Sequence, residues 1–359
     1  MRIKPTPHYY TSIESLCDIF DKEARQMPCQ TESVGAYNAW KTAVRRKLEG
    51  VTGISLMEKC DLQPRLLDTA RLDSGITREK RIIQTEAKVW MPFYVLIPEG
   101  AGASTPCIIA AHGHVICGKL GTGGRREFEV VSEQIDVFNA DYGLKFAQEG
   151  YVVFCPDARA FGERREITRQ GEREDYFICS TCEYLNNIAI ALGRSLTGMW
   201  TWDLMRLIDY IETRDDCDAS RIGCMGLSGG GAQTLWLTAM DDRVKCGITS
   251  GYFYGIKDAL LKLPNCSCNY VPGLWKVVDM GDLAALIAPR PFMIETGDGD
   301  PLNGEGRLDN VYSQVEIARG AYELLDAGDK LVHVVEQGGH RWFGNKAGWF
   351  MREGLTQQC

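Results

Sequence analysis

The sequence predicts an α/β protein built on a doubly wound, mostly parallel sheet, and three observations predict it. From residue 106 onward, short and almost continuously apolar runs alternate with helix-patterned segments, the grammar of a parallel sheet covered on both faces. Within it, Asp141-Tyr-Gly-Leu-Lys-Phe-Ala-Gln-Glu-Gly-Tyr is a helix stopped by Gly150 and handed directly to a buried run. A third apolar run ends in Gly226-Leu-Ser-Gly-Gly before another helical pattern, a strand-to-helix turn too tight for large side chains.

Taken in chain order, residues 12–26 and 36–49 have helical spacing, with Ile13, Leu16, Ile19 and Phe20 on one face and Trp40, Val44 and Leu48 on the next. Residues 1–77 therefore read as a helical N-terminal arm. Residues 78–97 alternate as strands and end in Val89-Trp-Met-Pro-Phe-Tyr-Val-Leu-Ile-Pro, antiparallel edge strands that open a domain over 78–359. Parallel strands are expected at 107–111, 151–156, 222–226, 246–250, 291–296 and 331–335, and helices at 135–149, 198–213, 231–240 and 312–327. Two insertions, 158–197 and 254–282, leave the carboxyl ends of strands, where open α/β sheets bind ligands. Loops of that length usually carry function, so they are expected to roof a pocket.

The 359 residues hold 40 Lys and Arg against 48 Asp and Glu, a formal charge of −8, with 45% apolar and 25% charged residues. That is ordinary globular composition. Without a basic run it argues against nucleic acid or an anionic membrane as partner, and a homo-oligomer is compatible with it. The first residues lack a signal-peptide core and no run reaches membrane-spanning length, so the expected location is the cytoplasm. Fourteen cysteines are then expected as reduced, mostly buried thiols. Cys179-Ser-Thr-Cys182 and Cys266-Ser-Cys268 offer four thiolates, but Cys-x-Cys is a poor match to zinc-knuckle spacing. They are expected to pack or line the pocket, with no metal and no cofactor.

The Gly-x-Ser-x-Gly turn makes Ser228 a nucleophile candidate, projecting from the turn with a helix N-terminus behind it. A dinucleotide loop would instead follow the first strand, and no Gly-x-x-x-x-Gly-Lys-Ser/Thr run is present. Of the histidines, His8 lies in a polar N-terminal stretch and His333 inside the last apolar run, where a packed ring is expected. His340, in Gln337-Gly-Gly-His-Arg-Trp after that run, has the place of the general base. Glu295, Asp298 and Asp300 all follow or end the penultimate strand, and spacing alone leaves the orienting acid open among them. Ala111-His112-Gly113-His114 at the end of the first parallel strand places the amide of His114 beside that of Gly229 as an oxyanion hole. The imidazoles of His112 and His114 are read as structural, since a His-x-His chelate has no third ligand nearby in sequence.

Together, His112-Gly-His, Pro156-Asp-Ala-Arg-Ala-Phe-Gly-Glu-Arg, Trp202-Asp-Leu-Met-Arg-Leu-Ile-Asp-Tyr, Gly226-Leu-Ser-Gly-Gly, Ala288-Pro-Arg-Pro, Gly297-x-x-Asp300 and Gly339-His340 resemble the α/β-hydrolase superfamily. The nearest branch is that of dienelactone hydrolases and acetyl xylan esterases, over residues 85 to 345. The resemblance implies the α/β-hydrolase fold and a serine carboxylic-ester hydrolase acting through an acyl-enzyme on a small or carbohydrate ester, such as an acetylated sugar. Its Gly-x-x-Asp spacing favours Asp300 over Asp298. It departs from acetyl xylan esterases in having Gly229, where many carry Gln. The same machinery occurs in prolyl-oligopeptidase-like peptidases and amidases, and a silent scaffold that only binds is the remaining alternative. The pocket wall is expected from Asp157, Arg159, Trp200, Cys266, Cys268, Tyr270 and Trp275, whereas Asp203 and Arg206, at i and i+3, read as a structural ion pair.

Overall fold

The computed structural model describes residues 10–171 and 173–356, except for the side chain of residue 168. Two helices open the chain, α1 (Ile13–Glu23) and α2 (Val34–Thr52), followed by strands β1 (Arg65–Arg71), β2 (Thr77–Glu86), β3 (Val89–Ile97) and β4 (Pro106–Ala111). Then come α3 (Lys119–Thr122), α4 (Glu129–Phe138), α5 (Tyr142–Gln148), β5 (Val152–Pro156), α6 (Cys182–Ala191), α7 (Leu196–Ile211), β6 (Asp218–Leu227) and α8 (Gly229–Met240). The chain finishes with β7 (Val244–Ser250), α9 (Met280–Ala285), β8 (Phe292–Gly297), α10 (Arg307–Leu324), β9 (Leu331–Glu336) and α11 (Ala347–Thr356).

The nine strands form one sheet in the order β1-β2-β3-β5-β4-β6-β7-β8-β9. The run β5-β4-β6-β7-β8-β9 is parallel, and β1, β2 and β3 extend it antiparallel from β5. Central strands such as β4 and β6 are buried along their apolar residues, because helices cover both faces, and each Å² of apolar surface so removed from water contributes about 25 cal/mol. The six expected parallel strands are all present, which gives the α/β-hydrolase fold.

Two readings change. The stretch 1–77 is not helical throughout, since it supplies β1, paired antiparallel to β2. Residues 135–149 form the end of α4 and all of α5, because Asn139 takes a left-handed conformation (φ 55°) and its N–H closes α4 on the Ile135 carbonyl. Asparagine tolerates that conformation better than other residues with a Cβ. The arm is also part of the core: Tyr37, Trp40, Val44 and Leu48 form the buried face of α2, and the Tyr37 hydroxyl donates to the Ala285 and Ala288 carbonyls at 2.8 and 3.1 Å. His8 lies outside the described residues. Among them, no helix is long and apolar enough to cross a membrane.

Candidate active site

The turn between β6 and α8 places Ser228 with φ 58° and ψ −120°, in the left-handed half of the map that a residue with a Cβ rarely occupies. Its N–H donates to the Ser250 carbonyl at 2.8 Å, and its own carbonyl accepts from Ala232 at 2.9 Å. The turn is crowded by β4. A Cβ on Gly226 would lie 2.5 Å from the Ala111 carbonyl oxygen, and one on Gly113 would lie 3.0 Å from Ser228 Cβ and 3.3 Å from the Gly229 nitrogen. The backbone at Gly113-His114 therefore runs against the start of α8, where free amides of the first turn collect. The Gln233 amide donates to the His112 carbonyl at 2.8 Å and fixes that loop to α8.

His340 arrives on the loop after β9. Its ring packs on Gly251, where a Cβ would come within 2.9 Å of Cε1 and 3.3 Å of the Leu227 side chain. Gly251 directly follows the residue that accepts from Ser228. His340 Nδ1 bonds Asp300 Oδ2 at 2.7 Å, and the other oxygen of Asp300 accepts from the Leu302 N–H at 2.9 Å. The Asp300 side chain is 1% exposed and that of His340 21%. With Nδ1–H donating to the carboxylate, Nε2 keeps its lone pair for a proton. Asp298 instead accepts from the Gly338 N–H at 2.9 Å, tying the loop without touching the imidazole. Glu295 accepts from the Ser250 hydroxyl at 2.7 Å and from the amides of Phe343 and Gly344 at 3.0 and 2.7 Å; burial nevertheless raises its pKa. It holds the far side of the His340 loop.

His112 is a neutral packed ring, with Nδ1 bonded to the Gly113 carbonyl and Nε2 accepting from the Ala158 N–H, and burial lowers its pKa. His333 bonds Thr296 Oγ1 at 3.1 Å, and burial pushes its pKa down to about 4.

A cavity of about 350 Å³ opens over Ser228, lined by His114, Gly229, Tyr252, Tyr254, Pro264, Asn265, Cys266, Asn269 and Leu302. Of the seven residues expected in its wall, only Cys266 lines it. Asp157 lies in a buried pair with Lys119 Nζ at 2.5 Å and accepts from the amides of Lys119 and Glu163. Burial alone would raise its pKa, but Lys119 and His112 outweigh that and hold it down. Arg159 makes a two-pronged bond to Asp203 and a third to Glu86. Trp200 donates to the Arg159 carbonyl, Tyr270 to the Leu260 carbonyl, and Trp275 packs on Phe20 and Tyr270. A buried charge or indole N–H needs a fixed partner; Asp157, Arg159 and Trp200 have theirs in the scaffold, whereas the buried Trp275 Nε1 has no hydrogen-bond partner among the described residues. The expected Asp203–Arg206 pair does not form: Asp203 takes Arg159 and Arg164, and Arg206 pairs with Asp209. Tyr252, Tyr254 and Asn269 were not anticipated; the signal was Gly251-Tyr-Phe-Tyr directly beyond the end of β7.

The cysteine pairs also rearrange. Cys179 turns to the Asp175 carbonyl, while Cys182, Cys266 and Cys268 gather around His114, their ligand atoms all within 4.8 Å of one another. Cys268 Sγ is 3.5 Å and Cys182 Sγ 4.0 Å from His114 Nε2. Hydrogen bonds from Cys182 and Cys268 hold the Cys266 thiol below the usual range, the bond to Cys266 raises Cys182, and burial raises Cys268.

The model of the Abhydrolase family matches residues 30–337, most of the chain. The chain belongs to that family. YtaP of Bacillus subtilis (strain 168), which carries the name of a hydrolase, is 26% identical over 275 residues, 73% of this chain and 84% of that protein. Among solved structures, a protein of Bacteroides fragilis NCTC 9343 assigned as an acetyl xylan esterase superposes with a TM-score of 0.72 at 18% identity, covering 92% of this chain and 83% of that one. A glucuronoyl esterase from Solibacter usitatus superposes with a TM-score of 0.67 at 18% identity, covering 94% and 97%. At that identity these structures share the fold with this member of the Abhydrolase family.

Proposed function

We propose that this Abhydrolase-family chain is a serine carboxylic-ester hydrolase with Ser228 as nucleophile, His340 as base and Asp300 as the acid that orients it. The observation that carries the reading is the 2.7 Å bond from His340 Nδ1 to a buried Asp300 carboxylate, beside a serine on a strained strand-to-helix turn. Ser228 Oγ attacks the ester carbonyl while His340 Nε2 takes its proton, and the carbonyl oxygen becomes an oxyanion facing the amides of Gly229 and His114. The imidazolium, stabilised by Asp300, then protonates the departing alcohol and leaves an acyl-enzyme. Water, deprotonated by His340, releases the acid and restores Ser228. Every step uses groups of the chain.

The substrate proposed is a short-chain ester of a small alcohol or sugar. A cavity of about 350 Å³ lined by Tyr252, Tyr254, Asn265 and Asn269 supports it, offering apolar ring faces and amides in the mixture that suits a sugar. The name of one structural neighbour, an acetyl xylan esterase, supports a short acyl group on a sugar, while that of the other, a glucuronoyl esterase, supports only the broader class of carbohydrate esters, since there the sugar supplies the acyl group. A cytoplasmic site of action is proposed on the abundance of thiols, fourteen cysteines in all, which suits a reducing compartment. Labelling with a fluorophosphonate followed by a panel of p-nitrophenyl esters, acetylated sugars and peptide amides tests the reading. The expected result is stoichiometric modification of Ser228 and turnover of short acyl esters. Inertness would favour a binding scaffold, and preferential amide cleavage a peptidase.

A further inference from the structure

We propose that His114, Cys182, Cys266 and Cys268 form a zinc site that staples the insertions 158–197 and 254–282, of which only the second lines the Ser228 cavity, to the loop after β4. The four residues come from three distant parts of the chain: His114 beyond β4, Cys182 at the first residue of α6, and Cys266 and Cys268 in the insertion after β7. Their ligand atoms lie within 4.8 Å of one another. A tetrahedral zinc with Zn–S near 2.3 Å and Zn–N near 2.05 Å requires S···N edges of about 3.6 Å and S···S edges of about 3.8 Å. Two of the three S···N separations are 3.5 and 4.0 Å, and since no pair of ligand atoms is more than 4.8 Å apart, closing the set needs adjustments of about 1 Å at most.

Chemistry favours metal over packing. His114 Nε2 faces sulfur, a weak hydrogen-bond partner. Cys155, Cys224 and Cys246 by contrast sit singly in strands of the core, as small hydrophobes do, and Cys107 meets Cys217 as a simple thiol pair. Three sulfurs with one imidazole nitrogen are a structural zinc set, closed to substrate, and softer than calcium or magnesium prefer.

The Cys-x-Cys spacing, unpromising in sequence, is held by the fold. Residues Ser267–Asn269 form a turn of 3₁₀ helix in which the Asn269 N–H bonds the Cys266 carbonyl at 3.0 Å. Asn186 of α6 donates to the Ser267 carbonyl, and Thr197 of α7 to the Cys268 carbonyl, both at 2.6 Å. The Asn269 amide also faces Cys268 Sγ at 3.8 Å, the kind of outer contact that orients a ligand. Because Cys266 and His114 line the Ser228 cavity, such a metal would set the height of its roof. With all four positions filled by protein, it would act as a brace and not as a Lewis acid.

The site is tested on metal content, so it stands or falls independently of the serine chemistry. Full-length protein from zinc-supplemented cells should carry one zinc per chain by elemental analysis. Cys182→Ser and Cys268→Ser should each become substoichiometric, whereas Cys179→Ser should keep its metal. As a measurement that needs no variant, cobalt added to the metal-stripped wild type should give thiolate-to-cobalt charge-transfer absorption at one equivalent. Absence of both zinc and that absorption would overturn the proposal. So would full zinc in Cys182→Ser, or a disulfide joining any two of the three cysteines in freshly purified protein.

Discussion

At Ser228 the backbone conformation costs on the order of 1–3 kcal/mol for a residue with a Cβ, and the surrounding turn tolerates it because Gly226 and Gly113 let β4 approach. If Ser228 and His340 share one proton transfer, Ser228→Ala and His340→Ala should each lower kcat by about 10⁴–10⁶-fold, and the double variant should be little worse than either. Losses that multiply in steady-state kinetics would mean that the two act independently. The acid is decided in the same way. Asp300→Asn should lower kcat by about 10³–10⁴-fold, since an amide facing Nδ1 selects the wrong tautomer. Asp298→Asn, which touches only the Gly338 amide, should cost far less, and an exchange of the two outcomes would place the orienting role on Asp298. The tight turn at Ser228 and the loop that carries His340 were legible in sequence because each sits in a local pattern, glycines around a serine and a histidine just beyond the last strand. The pocket wall was not, because Trp275 or Arg159 is assigned to scaffold or cavity only by partners far away in sequence.

At the scale of elements, the parallel strands were legible because burial on both faces leaves them almost purely apolar. Strand β1 was not: Arg65-Leu-Leu-Asp-Thr-Ala-Arg lies at the sheet edge with nearly every residue exposed, so it carries no apolar face to reveal it. The 158–197 insertion shows how polar residues can hold an element as firmly as a core does. Arg159 and Arg164 reach from it to Asp203 on α7, whose side chain is 2% exposed. Burial by itself would raise the Asp203 pKa, yet the two guanidiniums outweigh it and hold it at about 2. A depressed carboxylate stabilises the fold above its unfolded pKa, near 4, and that contribution is lost as pH falls through about 2. Asp203→Asn removes the charge both arginines were buried against, and breaking a buried pair on one side costs about 3–5 kcal/mol. The urea midpoint at pH 7 should fall accordingly, with the slope unchanged. The exposed pair Arg173–Asp175 is the contrast: Asp175→Asn should leave the midpoint where it was. Equal effects from the two variants would show that the Asp203 network does not anchor the insertion.

For the whole molecule, the question is whether the arm is an appendage or a wall of the core. Tyr37, Trp40, Val44 and Leu48 on α2 share one apolar cluster with α8, α9, β8 and α10. Arg25 adds a two-pronged bond to Asp282 at 2.8 and 3.0 Å, and the Cys29 N–H donates to the same carboxylate. That carboxylate also closes the capping box of α9, the helix that leads into β8 and so to Asp300. Removing the arm would leave a buried acid without its guanidinium and an apolar face of α9 and α10 in water, both of which destabilise the domain that remains. The arm and the sheet should therefore unfold together. Leu48→Ala, which empties a position with no solvent exposure, should lower global stability by about 2–5 kcal/mol. Far-ultraviolet dichroism and tryptophan fluorescence should report one coincident urea transition in both proteins, shifted to lower urea in the variant. An early transition confined to helical signal, moved by Leu48→Ala while the main transition stays in place, would mean that the arm folds on the domain without being needed by it.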